Sequence, residues 1–158
     1  MRHGKSDWGV AEGDDHERPL ALRGERAARR MGRYLTTAGQ VPDLVLTSSA
    51  VRARTTAELA AKAGKWGCEL RVCDGLYLAN PGAVLDHIAE LAADQLRVMV
   101  VGHEPTSSAL VSWLIGGREV QMPTAAVACV ELAGDSWTGL DQGCGVLRWL
   151  VTPKTVAG

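Results

Sequence analysis

Phenylalanine is missing from this 158-residue chain, and aromatic residues together make up only 4% of it. Its core must therefore be aliphatic, built from Ala, Val and Leu with a few Trp. Excess charge is missing too: 17 Lys and Arg face 18 Asp and Glu, a formal net charge of -1. That balance argues against DNA or another bulk polyanion as partner. The four cysteines, Cys68, Cys73, Cys129 and Cys144, show no C-x-x-C spacing, which removes the usual zinc patterns. Cys73 and Cys129 fall in apolar runs and read as buried thiols of a reduced, cytoplasmic protein. No apolar stretch follows the start as a signal peptide would require. None reaches the roughly 20 residues of a membrane span, so no membrane role is expected.

What is present alternates between helix-like and strand-like segments. Ala27, Ala28, Met31, Tyr34, Leu35 and Ala38 recur at helical spacing within a helix predicted over Leu22–Ala38. Arg23, Arg26, Arg29, Arg30 and Arg33 fall mostly on its outer face, and Gly39 suits its C-cap. Short apolar runs predict buried strands over Asp43–Thr47, Glu69–Cys73 and Arg97–Val101. Further helices are predicted over Arg52–Ala63, with Gly64 as its stop, over Pro81–Ala93 and over Thr106–Ile115. Ala126–Leu132 and Gly145–Val151 read as an antiparallel pair. One domain spanning 1–158 results: a three-layer α/β/α sandwich with a mostly parallel central sheet.

In such folds ligands gather beyond the carboxyl ends of the strands. Arg2-His3-Gly4, Ser48 to Arg52 and Gly102-His103 each follow a strand or strand remnant, so Arg2, His3, Arg52 and His103 converge on one sheet edge. The chemistry suits a phosphoryl group. Arg2 and Arg52 offer planar, permanently charged forks for phosphate oxygens. Neutral His3 is the candidate nucleophile, giving a phosphohistidine labile enough for water to hydrolyse. His103 would donate to a phosphoryl oxygen in the transition state. Backbone N–H groups at the helix start near Val51 add to the clamp, and Gly4 and Gly102 would permit close backbone approach.

These motifs, R-H-G-K-S-D-W at Arg2 to Trp8, S-S-A-V-R-A-R-T-T-A at Ser48 to Ala57 and G-H-E-P at Gly102 to Pro105, resemble those of the histidine phosphatase (phosphoglycerate-mutase-like) superfamily. Arg18-Pro19-Leu20, Leu76-Tyr77-Leu78 and the small size are similar to its short SixA branch of phosphohistidine phosphatases. The resemblance covers essentially the whole chain. It implies Arg2, His3, Arg52 and His103 as the phosphate pocket, His3 phosphorylated during turnover, and no metal or organic cofactor. The implied substrate is a phosphorylated protein carrying phosphohistidine. A small phosphate ester, hydrolysed by a broad phosphomonoesterase, is the enzymatic alternative, and a phosphate-binding pseudoenzyme the non-enzymatic one.

Two departures from the family pattern stand out. The insertion that carries a Glu proton donor in many relatives is absent from Asp74 to Asn80. The pocket should then be open, which favours a phosphorylated side chain over an enclosed sugar and disfavours a mutase. Glu104 is the candidate substitute donor, although a helix N-terminus works against its protonation. Asp7 is a weaker candidate. Lys5 and Ser6 are expected as rim contacts, His16 and His87 as surface residues, and Arg54 away from the pocket. The second departure is the N-terminus: relatives carry an apolar strand before R-H-G, whereas Met1 here holds only its last position. The expectation is a true start upstream, and weak stability and low activity for a chain lacking that strand.

Overall fold

The alternation of segments resolves in a computed structural model that describes residues 1–9 and 13–156. Four α-helices and five strands alternate in it: α1 (Leu22–Thr37), β1 (Leu44–Ser48), α2 (Val51–Gly64), β2 (Glu69–Cys73), α3 (Pro81–Leu91), β3 (Val98–Val101), α4 (Thr106–Leu114), β4 (Val127–Leu132) and β5 (Gly145–Val151). Single 3-10 turns cover Asp15–Glu17 and Asp74–Leu76. β1 is central in a parallel sheet of order β2-β1-β3, with Leu44 opposite Glu69 on one side and Val98 on the other. β4 and β5 form a separate antiparallel pair.

Alternation along the strands divides the core into two faces, because successive side chains point to opposite sides. Val45, Met99 and Val101 pack with Met31 and Leu35 of α1 and with Ala53 and Ala57 of α2. Leu44 and Leu46 pack on the other face with Cys73, Leu76, Val84 and Ile88. The α/β sandwich expected from the sequence is the one observed. Its tightest helix contact depends on glycine. A Cβ on Gly32 would lie 2.0 Å from the Ala60 carbonyl oxygen, and one on Gly64 2.6 Å from that of Gly32.

α2 ends at Gly64, as expected, but Gly64 is its last helical residue, and Lys65 takes the left-handed capping conformation at φ 54°. Gly39 does cap α1, at φ +66°. Cys129, expected to be buried, is half-buried, while Cys73 is buried.

The N-terminal residues link the two sheets. His3 N–H donates to the Gly102 carbonyl (2.9 Å), Gly102 N–H to that of Met1 (3.1 Å), and Arg2 N–H to that of Ala126 (3.0 Å). Met1–His3 thus lie between the end of β3 and the start of β4. Below Met1 the two strands do not meet, and Met1, Val98, Val100, Val127 and Cys129 help line a cavity of about 600 Å³. The Met1 ammonium is buried there against the Val100 carbonyl at 2.7 Å, and burial lowers its pKa to about 5.

Candidate active site

Three segments deliver the pocket. Arg2 and His3 lie at an isolated bridge to Gly102, β1 runs through Ser48 into α2 and Arg52, and β3 ends just before Gly102 and His103. The His3 and His103 rings lie with centroids 5.1 Å apart and tilted by 56°. Both are buried, as is Arg52. The four residues picked from the sequence are therefore neighbours.

Hydrogen bonds set the roles of the rings. His3 Nδ1 lies 2.7 Å from the Gly4 carbonyl, which can only accept, so Nδ1 carries the proton and Nε2 keeps its lone pair. His103 Nε2 lies 2.9 Å from Ser48 Oγ, and that oxygen already accepts the Ala50 N–H at 3.3 Å. His103 Nδ1 is buried without a partner, and it is a free N–H donor in the tautomer in which the Ser48 hydroxyl donates to Nε2. Burial lowers the His3 pKa to about 4, and the charges of Arg52 and Arg2 push the same way. Burial, then His3 and Arg52, lower His103 to about 3. Both rings are neutral at pH 7.

Both arginines are anchored through terminal nitrogens, and Arg52 through both of its own. Arg2 Nη1 donates to the Met122 carbonyl at 2.9 Å, and Arg52 Nη2 to Asp15 Oδ2 at 2.9 Å. Arg52 Nη1 also donates to the Asp15 carbonyl at 2.5 Å. The Nε atoms of both are buried and have no partner among the described residues. Donors with nothing to bind are costly inside a protein, and here they belong to the residues picked for phosphate.

Asp15 is a hub that the sequence did not disclose. Besides Arg52, its carboxylate accepts from Arg18 Nη2 (2.7 Å) and from the Tyr77 hydroxyl (3.1 Å). Partial burial alone would raise its pKa, but bonds from Arg18 and Tyr77 and the charge of Arg52 hold it near 2. Tyr77 sits edge-on to both His103 (5.7 Å) and His16 (4.8 Å). His16, expected on the open surface, is half-buried at the site, with Nε2 3.0 Å from Ser49 Oγ. Successive serines at the end of β1 thus each meet a histidine. The available signals were Arg18-Pro19-Leu20 and Leu76-Tyr77-Leu78, which carry the neighbours of Asp15 without revealing it.

The other expected residues divide. Ser6 is buried behind the rim with its Oγ bonded to Arg18 Nη1, and Lys5 is half-buried. Glu104 is half-buried, and its Oε1 is an orphaned acceptor. Asp7 caps Gly9 N–H at 2.9 Å. Arg54 is exposed and pairs with Glu58 at 3.7 Å, while His87 packs against Gly75. Gly4 does meet backbone closely, but that of Gly24: a Cβ there would lie 2.8 Å from the Gly24 oxygen. Gly102 is not crowded, its nearest neighbour being Ser107 Oγ at 4.0 Å.

Comparison with known proteins places the chain in a family. A sequence model of the histidine phosphatase superfamily (branch 1) matches residues 1–77. The uncharacterized protein Rv1276c of Mycobacterium tuberculosis is 37% identical over 166 residues, covering 98% of this chain and 100% of that protein. The chain belongs to the histidine phosphatase superfamily. Its architecture is SixA-like. The protein histidine phosphatase SixA, solved with tungstate, superposes with a TM-score of 0.83 at 27% identity, over 99% of this chain and 96% of that one. A SixA from Agrobacterium tumefaciens, assigned as a phosphohistidine phosphatase, gives 0.82 at 26% identity, over 97% and 95%. Membership makes this protein a phosphatase by family, acting on phosphorylated substrates. No helix among the described residues is long and apolar enough to cross a membrane.

Proposed function

We propose that the protein hydrolyses phosphohistidine on a partner protein through a phospho-His3 intermediate, with Arg2, Arg52 and His103 as the phosphate clamp. The observation that carries this reading is the set of unpartnered buried nitrogens, Arg2 Nε, Arg52 Nε and His103 Nδ1, beside a His3 whose Nδ1 is held by the Gly4 carbonyl; in the reading His103 Nδ1 carries its proton. A phosphoryl dianion supplies acceptor oxygens for all three. Its charge is balanced by the two guanidiniums, so the scheme needs no metal or cofactor. That a SixA relative binds tungstate, another oxyanion, supports the same use of the pocket.

In the first step His3 Nε2 attacks phosphorus, a new P–N bond forms, and the bond to the leaving nitrogen or oxygen breaks. The leaving group takes a proton, for which Glu104, next in the chain after His103, is the candidate donor. Water then attacks the phosphohistidine, releasing phosphate and restoring neutral His3. His103 Nδ1–H and the arginines stabilise the charge on the equatorial oxygens in both steps. Lys5 would touch substrate only at the rim. The short Asp74–Asn80 connection carries no covering insertion, which suits a phosphorylated side chain on a protein surface.

The test uses p-nitrophenyl phosphate and a phosphohistidine protein, each with EDTA. Turnover of both should survive the chelator and fall by about three orders of magnitude or more in His3→Ala. Hydrolysis of the ester alone would assign a small-molecule phosphomonoesterase. Phosphate binding with no turnover of either would assign a binding protein.

A further inference from the structure

Four arginines on α1 have no part in the pocket. Arg23, Arg26, Arg30 and Arg33 are all exposed, and their spacing places them within about 80° of arc on one helix face. That face is opposite the buried one, which carries Gly24, Ala28, Met31, Gly32 and Leu35. The stripe extends about 15 Å along the helix. Among the described residues none of the four has a carboxylate within ion-pair distance, and Glu25, the acid of the first turn, pairs with Arg29 at 3.6 Å. Arg30 donates to the Pro153 carbonyl at 3.0 Å. A solvated helix face ordinarily mixes charges of both signs; this one has a single sign in a chain whose net charge is -1.

The stripe starts beside the nucleophile. Gly24 packs so closely on the His3 loop that a Cβ would lie 2.2 Å from the Lys5 carbonyl oxygen. Leu22, at the start of α1, is 72% exposed and Trp8 64%. Trp8 is stacked under the Arg18 guanidinium at 3.7 Å, and Arg18 is itself fixed by Ser6 and Asp15. An exposed tryptophan held on Arg18, in the segment that leads into α1, adds an aromatic side chain to a surface already rich in exposed arginine, a composition found at protein-binding surfaces.

We infer that the outer face of α1, entered past Trp8 and Leu22, is a docking track for an acidic segment of the phosphorylated protein whose phosphate enters the His3 pocket. The inference rests on the phosphatase reading above and adds what selects the substrate. Charge complementarity sets the occupant. The stripe is one helix wide, exposed Leu22 stands at its N-terminal end, and the molecule as a whole is not basic, which fits a polypeptide better than a nucleic acid.

The test compares two phosphohistidine peptides that differ only in a run of Glu or of Gln about five to ten residues from the phosphohistidine, a reach of about 15 to 30 Å. The wild type should prefer the Glu peptide by about tenfold in kcat/KM at low salt, since three rim ion pairs are each worth about a factor of two. In R23Q/R26Q/R33Q, which keeps Arg30 and its bond to Pro153, the preference should fall to about one while p-nitrophenyl phosphate turnover is unchanged. No preference in the wild type, or one that survives in the variant, overturns the inference. Anisotropy of a labelled, unphosphorylated Glu peptide keeps the two readings apart. Binding lost in the variant supports the track even if no peptide is hydrolysed. Displacement of that peptide by poly(U) at a lower charge concentration than by the Glu peptide itself would point to nucleic acid and overturn it.

Discussion

The two sides of the sheet are built differently. On one side β2, β1 and β3 pair continuously, with every residue of β1 buried and helices packed glycine-to-backbone behind them. On the other side β4 and β5 pair only with each other and join the rest through Met1–His3. The proposed pocket straddles this seam. Arg52 and His103 belong to the continuous side, whereas Arg2 and His3 lie on three residues held between two strand ends. Side-chain packing supports Arg52 and His103, whereas main-chain bonds to Gly102 and Ala126 hold Arg2 and His3.

The continuous side should be the least tolerant of change. In Gly32→Ala the added carbon would meet the Ala60 carbonyl at 2.0 Å, and backbone cannot yield as a side chain does. We expect a loss of about 3 to 5 kcal/mol or failure to fold, measured by urea denaturation. A loss below about 1 kcal/mol would show that α1 and α2 can slide apart, and would weaken the contrast with the seam. The seam, conversely, should gain from added chain. Five apolar residues placed before Met1 would run along the free edge of β3 and fill part of the cavity. Melting should rise by about 5 °C or more, a gain of about 2 kcal/mol. An unchanged melting temperature would show that the gap imposes no cost.

The same division explains how much could be read from the sequence. β1, β3 and their helices were legible because buried parallel strands are short apolar runs with chemistry at their carboxyl ends, and Ser48, Arg52 and His103 follow directly. Arg2 and His3 were legible by motif, but their support was not. Whether three residues can stand in for a strand depends on the carbonyls of Val100, Gly102 and Ala126, and main-chain acceptors leave no trace in side-chain pattern. Asp15 and His16 were hidden for another reason. They belong to a 3-10 turn whose partners come from Arg18, Ser49, Arg52 and Tyr77, so only the fold shows that they join the site.

Asp15 offers a finer cut between support and competition. Its carboxylate holds Arg52, Arg18 and Tyr77, but it also occupies part of the guanidinium fork that phosphate would use. Asp15→Asn keeps the shape and removes the charge. If Asp15 positions Arg52, kcat should fall about tenfold with little change in KM, because the clamp is misplaced mainly in the transition state. Tighter phosphate binding with kcat unchanged would instead show that Asp15 merely competes.

The effect most specific to the seam is its response to pH. His3 and His103 have folded pKa values of about 4 and 3, below the ordinary 6.5, so the unfolded chain binds more protons between those limits. Stability from these groups is therefore present above pH 6.5 and is lost as pH falls toward 4, by roughly 1 to 3 kcal/mol per pH unit when both contribute. The Met1 ammonium acts in the same direction over a higher window, from its ordinary 8.0 down to about 5. Extending the chain upstream replaces that ammonium with a peptide N–H, so the extended protein should lose less stability between pH 8 and 6 than the original, while both decline below 6.5. Imidazole nitrogen spectra should show His3 and His103 unprotonated down to about pH 5 in the free protein. Phosphate should shift both upward, since the dianion offsets Arg2 and Arg52. A His3 titrating near 6.5 without phosphate would mean that the ring is solvated rather than enclosed, and that the seam opens beneath it.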